Sequence, residues 1–198
     1  MTVEYFGMPG SGKTYAMERE YAQAQGEKRN MTAYMLETFR GKVLRKCACY
    51  LPCLSGVSGA VYRRIRACCG GLDARRRREL LADLCVKYSL MQKYHTMQCF
   101  YDEGIVQAVV SYGYWLGYDF AAIERILDVF DFGQTAFRYV ARDISTCLQN
   151  QKRRNRHVCE MDEWADERLE NYMQYTDEMF KRCADYLRNK HYAIEVIE

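Results

Sequence analysis

Nothing in this chain reads as a membrane span, a repeat array or a disulfide scaffold. No apolar run reaches the ~18 residues that a bilayer-crossing helix requires. No internal repeat, low-complexity tract or linker divides the 198 residues. One domain spanning 1–198 is therefore expected, long enough to close one core without disulfides or structural metal. An excess of one charge is missing as well. The 29 Lys and Arg residues nearly balance 26 Asp and Glu, leaving +3, too little to imply nucleic-acid binding, and none is expected. Paired C-x-x-C spacing is absent too, although there are ten cysteines. Cys47, Cys49 and Cys53 cluster and Cys68 and Cys69 are adjacent, but neither group has the spacing of a zinc site. Buried free thiols are the expectation.

What remains is ordinary globular composition, 49% apolar and 28% charged, with strands and helices in alternation. Thr2–Phe6 reads as a short strand, and 13–25 as a helix closed by Gly26. The spacing predicts a second strand at Thr32–Leu36. Helices are predicted at 42–51 and 57–69, separated by Pro52 and Ser55-Gly56 and stopped by Gly70-Gly71. The run Arg75-Arg76-Arg77-Arg78 follows Asp73, a good N-cap, and opens a long helix to about His95, so it reads as a solvated first turn. Gln98–Tyr101 reads as a buried strand and the apolar stretch 105–116 as a buried helix. A helix capped by Asp119 follows, then a strand at 136–141 and a helix at 144–152. After the basic break Arg153-Arg154-Asn155-Arg156 come a helix at 162–189 and a strand at 192–197. This alternation predicts an α/β fold with a parallel sheet.

The segment Gly7-Met8-Pro9-Gly10-Ser11-Gly12-Lys13-Thr14 lies between the first strand and the first helix, the required context for a Walker A phosphate loop. Glycines permit the tight wrap that turns backbone N–H groups inward as an anion nest. Pro9 has no N–H, so Gly10, Ser11, Gly12, Lys13 and Thr14 are the expected donors. The positive end of the following helix adds to that field. Lys13 is expected on the β- and γ-phosphates of ATP or GTP, and the Thr14 hydroxyl on Mg²⁺. The loop starts at Gly7, which leaves no room upstream in this chain for a cleaved leader. A cytoplasmic, non-membrane protein is the expectation.

A nucleotide site of this type needs a second carboxylate at the end of another core strand to orient the metal. Asp102, directly after Gln98–Tyr101, fits that place, with Thr14 as the other metal ligand. Glu103 has two readings: it activates a water, as in ATPases, or it shapes an acceptor pocket, as in phosphotransferases.

With Gly7 to Thr14, Asp102-Glu103-Gly104 and the late order of strand, helix, arginine break, helix and strand in place, the chain resembles the P-loop small-molecule kinases of the nucleoside and nucleotide kinase-like group. The resemblance implies a three-layer fold, with about five parallel strands, helices on both faces and ligands beyond the strand C-termini. It implies that Arg153, Arg154 and Arg156 form a lid that closes over the phosphates, a role suited to bidentate guanidinium groups. It also implies a general base at the end of the second strand, here Glu37, with Arg40 one turn on as an acceptor clamp. Two functions stay open at this point. One is a kinase transferring the γ-phosphoryl group to a small hydroxyl or phosphate acceptor, nucleoside-, nucleotide- or sugar-like. The other is a nucleotide-gated binding protein or slow ATPase that transfers phosphate only to water.

Overall fold

The structure is a computed structural model and describes residues 1–37, 43, 57–71, 73–154 and 160–198. It opens with β1 (Thr2–Phe6), buried along its whole length, as a central strand covered on both faces must be. The phosphate-loop segment follows, then α1 (Lys13–Gln23). Next come β2 (Lys28–Asn30), α2 (Met31–Glu37), α3 (Gly59–Cys68) and α4 (Ala74–Lys93). β3 (Gln98–Tyr101) leads into α5 (Ile105–Leu116) and α6 (Phe120–Leu127). The chain finishes with β4 (Ala136–Val140), α7 (Ile144–Arg154), a 3-10 turn (Glu160–Glu163), α8 (Asp166–Asn189) and β5 (Ala193–Ile197).

The five strands form one parallel sheet in the order β2-β3-β1-β4-β5. β1 and β3 are neighbours, with Glu4 paired to Tyr101, so the loops leaving their C-terminal ends lie side by side. Side chains alternate across β1 with the period of two that strands impose. Val3 and Tyr5 pack with Met17 of α1, Phe100 and Val140 on one face. Phe6 joins the larger cluster on the other face, which draws on α4, α5, α6 and α8. The long stripe on α8 is buried, from Leu169 through Tyr172, Met173 and Phe180 to Leu187. Cys69, Cys99, Cys147 and Cys183 are free, buried thiols, as expected, and Cys85 is buried as well; Cys47, Cys49, Cys53 and Cys159 lie outside the described residues.

Helix caps follow the sequence. Asp73 accepts from Arg75 N (2.9 Å) and Arg76 N (3.0 Å) at the start of α4, and Asp119 accepts from Ala122 N (2.8 Å) at the start of α6. Each satisfies amide donors that a helix leaves unpaired.

Three expectations are corrected. The strand expected at Thr32–Leu36 is instead helix α2, and the second strand is the earlier, three-residue β2. Asn30 explains the change: its Oδ1 accepts from Ala33 N at 3.0 Å, an N-cap that starts a helix, and Met31 and Met35 then bury themselves four residues apart. The arginine break also moves, since α7 continues through Arg153 and Arg154. The last helix begins at Asp166 rather than 162, after the 3-10 turn. The helix expected at 42–51 lies outside the described residues apart from Val43. Among the described residues no helix is long and apolar enough to cross a membrane.

Candidate functional site

The phosphate-loop segment sits at the C-terminal end of β1 and runs into α1 with Gly12 as N-cap. Gly10 has φ +81°, and a Cβ there would stand 2.5 Å from the Cys147 carbonyl oxygen, so both conformation and space require glycine. α7 also grips the loop through a side chain, because Asn150 Nδ2 donates to Gly10 O at 2.9 Å. Lys13 Nζ donates to the carbonyls of Gly7 (2.9 Å) and Met8 (3.0 Å), two of the loop's own oxygens. Of the amides expected to face an anion, that of Ser11 donates to Met8 O at 3.2 Å. Gly12, Lys13 and Thr14 open α1, where helix geometry leaves the N–H groups without intrahelical partners. Ser11 Oγ is buried with no hydrogen-bond partner.

The expected metal pair comes together. Thr14 Oγ1 donates to Asp102 Oδ2 at 3.0 Å, although 88 residues separate them, because β1 and β3 are adjacent. The second carboxylate oxygen, Asp102 Oδ1, is buried and unpartnered. A hydroxyl and a carboxylate are hard oxygen donors of the kind Mg²⁺ accepts, and Mg²⁺ commonly takes one or two protein oxygens plus phosphate and water. Among the described residues there is no cluster of three His, Cys, Asp or Glu side chains that could hold a metal unaided. Glu103 is exposed beside this pair.

Beneath the pair lies a residue that the sequence reading did not single out. Glu4, in the middle of β1, is fully buried, and its Oε1 accepts from Val106 N at 2.6 Å, at the N-terminus of α5. A Cβ on Gly104 would lie 2.1 Å from Glu4 Cδ, so the glycine of Asp102-Glu103-Gly104 is required by the carboxyl packed against it. Burial pushes the Glu4 carboxyl up to about 7; the amides of Val106, Ile105 and Gln107 and the charge of Lys87 oppose that rise. Within the first turn of α5, buried Gln107 accepts from Gly7 N at 3.1 Å and donates to Ser111 Oγ at 3.1 Å. The segment 102–107 is thus tied to β1 and its loop at Glu4, Gly7 and Thr14. The only signals for Glu4 and Gln107 in the sequence are polar residues inside otherwise apolar elements.

The remaining expected residues are placed as follows. Glu37 closes α2 and does not follow a strand; its side chain lies outside the description, as does the whole of Arg40. Arg153 is exposed in the last turn of α7, and Arg154 ends that helix. Arg156 lies outside the described residues.

This arrangement is a P-loop fold with its phosphate loop and strand-end carboxylate in contact. Comparison with known proteins agrees at the level of fold. Solved structures of deoxyadenosine kinase from M. mycoides are similar to it over 100% of this chain and 90% of theirs, at 12% identity. The TM-score is 0.55 for the complex with dCMP and a flexible dCDP, 0.55 with dATP and 0.52 with dCTP. No family model matches the sequence, and no curated protein matches it. The chain therefore has the α/β fold of the P-loop nucleoside kinases, as its sequence motifs imply.

Proposed function

We propose that this protein is an ATP- or GTP-dependent kinase that transfers the γ-phosphoryl group to a small acceptor, with a nucleoside or nucleotide as the first candidate and a sugar-like hydroxyl compound as the next. The observation that carries the reading is the Thr14–Asp102 contact, with Asp102 Oδ1 buried and unpartnered beside it. A metal–nucleotide complex supplies the oxygen ligands and positive charge that such a pair is built to meet. The deoxynucleotides bound by the similar structures favour a nucleoside-type acceptor.

In this mechanism the amides of Gly10, Gly12, Lys13 and Thr14 hold the phosphate chain, and Lys13 moves from the loop carbonyls onto the β- and γ-phosphates. Thr14 and Asp102 would hold Mg²⁺, the source of positive charge against the transferring group when it is bound. Gly7 and Ser11 shape the loop. Glu37 takes the proton from the acceptor hydroxyl. Its support is positional: α2 leaves the C-terminal end of β2, and seven residues of helix carry it only ~10 Å further. Arg153, Arg154 and Arg156 close over the transferring phosphoryl group. Arg153 lies three residues beyond Asn150, so it is on the helix face that touches the loop.

A second reading is a nucleotide-gated protein or slow ATPase. Its support is the exposed Glu103 next to Asp102, a place from which a carboxylate can hold a water. A single experiment separates the two. ATP and GTP labelled at the γ-phosphate are incubated with nucleosides, deoxynucleosides, nucleotides and sugars, using wild type, Glu37→Gln and Glu103→Gln. The kinase predicts label in one acceptor class and loss of transfer in Glu37→Gln. Label found only in free phosphate, with Glu37→Gln active and Glu103→Gln inactive, refutes the kinase and leaves the ATPase.

A further inference from the structure

Arg142 follows the end of β4 by two residues and has no role in the site described so far. β4 runs beside β1, with Tyr139 paired to Phe6. Ala141 N donates to Ile197 O at 2.8 Å, which carries the extended pairing one residue past the strand. Side chains alternate along such a segment. Arg138 meets Glu20 of α1 at 3.1 Å, and Val140 packs in one cluster with Met17 of α1, so Arg142 continues the row that faces α1. From Glu20 to Lys13 the helix rises about 10 Å, and from Arg138 to Arg142 the extended chain rises about 13 Å. Arg142 therefore stands level with the start of α1. The phosphate loop touches this strand end directly, since a Cβ on Gly7 would lie 2.5 Å from the Val140 carbonyl oxygen. Burial pushes the Cys147 thiol up to about 11, and the charges of Lys13 and Arg142 both oppose that rise, so both cations lie within electrostatic reach of one residue of α7.

Arg142 is partly buried, and among the described residues it makes no hydrogen bond, ion pair or ring contact. A guanidinium stays charged and offers a fork of donors with no acceptor, so partial burial without a partner costs free energy until an acceptor arrives. The neighbouring Asp143 is not that acceptor. Its Oδ1 accepts from Ser145 Oγ (2.5 Å) and Thr146 N (2.7 Å), and its Oδ2 from Thr146 Oγ1 (2.7 Å), at the start of α7. Thr14 and Asp102 meet on the other flank of β1, at the end of β3, and β3 and β4 stand about 10 Å apart. A nucleotide whose β- and γ-phosphates meet Lys13, Thr14 and Asp102 has its nucleoside left to lie over β4.

We propose that Arg142 reads the base of the bound nucleotide and selects guanine. The inference rests on the proposed nucleotide site and deepens it by naming the base. Guanine presents two acceptors side by side, O6 and N7, which a guanidinium can meet with two parallel hydrogen bonds. Adenine presents N7 beside the N6 amino group, which sets a donor against a donor. With Asp143 engaged at the start of α7, the 2-amino group of guanine is not part of the recognition.

The test is isothermal titration calorimetry of the full chain with magnesium and GTP, ATP, ITP or 7-deaza-GTP, with no acceptor present. Wild type should bind GTP about tenfold or more tighter than ATP. ITP keeps O6 and N7 and should match GTP, whereas 7-deaza-GTP lacks N7 and should lose most of the preference. Arg142→Ala should close the gap by weakening GTP. Arg142→Gln, whose side-chain amide matches N6 and N7 of adenine, should turn the preference toward ATP. Melting curves show that the variants are folded, and the analogue series on wild type needs no variant. Equal affinity of wild type for GTP and ATP, or tighter ATP, overturns the guanine assignment and leaves the phosphate site standing. Failure to bind either nucleotide overturns both. If Arg142→Ala weakens GTP and ATP alike, the guanidinium lies on the phosphates and the assignment is overturned, as it is if ITP binds as weakly as ATP.

Discussion

Glu4→Gln tests how the site is wired to the core. The substitution keeps an oxygen that can accept from Val106 N and removes the ionisation. In the folded chain the carboxyl lies at about 7 instead of 4.5, chiefly because burial penalises its charge. The unfolded chain therefore releases this proton first, and between those values it binds fewer protons than the folded chain. Stability must then fall as pH rises. Below pH 4.5 the penalty is absent, and above about 7 it is complete, at roughly 3 kcal/mol. Glutamine lacks this slope, while the other titrating groups are common to both proteins and cancel in the difference. Stability of wild type relative to Glu4→Gln should thus decline by roughly 3 kcal/mol from about pH 5 to 8. For a chain of this size that is roughly 6–12 °C in relative melting temperature. Parallel pH profiles for the two proteins, in thermal or urea melts, would refute the reasoning and place the Glu4 proton elsewhere.

Lys13→Ala should abolish nucleotide-induced stabilisation, which for wild type at 100 times the dissociation constant is about 2.7 kcal/mol; a thermal-shift titration with Mg-ATP and Mg-GTP checks it, and an unchanged shift counts against the loop. Asp102→Asn should keep the fold but raise the magnesium needed for half-maximal turnover by about tenfold or more, read from activity against magnesium concentration. Gly104→Ala should destabilise by about 1–3 kcal/mol or more through its collision with Glu4. Adding Glu4→Ala should recover part of that loss in urea melts, so simple additivity would mean that the two residues are not in contact.

The phosphate loop was legible because its chemistry is written in eight consecutive residues between a strand and a helix. Asp102 was legible for a similar reason, since an apolar strand ends on it. The error at Thr32–Leu36 arose because a short apolar run has no decisive period, and the side chain that settles it, Asn30, acts from outside the run. Glu4, Gln107 and Asn150 stayed hidden because their roles depend on which strands become neighbours. Nothing local distinguishes a glutamate that holds the start of α5 from one left over in a strand. The arginine run that opens α4 was visible in the sequence, but the meeting of Arg76 with Trp115 and Arg168 appears only when the helices pack.

The phosphate loop is encoded first and completed last. Its hydrogen-bonding partners Asp102, Gln107 and Asn150 lie 88, 100 and 140 residues from the loop residues they hold. Contacts of such separation form late, because the loop-closure entropy must be met before they contribute. During synthesis the loop leaves the ribosome long before α7 exists to grip Gly10. A nascent chain therefore carries the recognisable motif without the finished site. On the proposed function, nucleotide capture would mark completed folding, because the ligand would stabilise only chains in which β1, β3, α5 and α7 have already found one another.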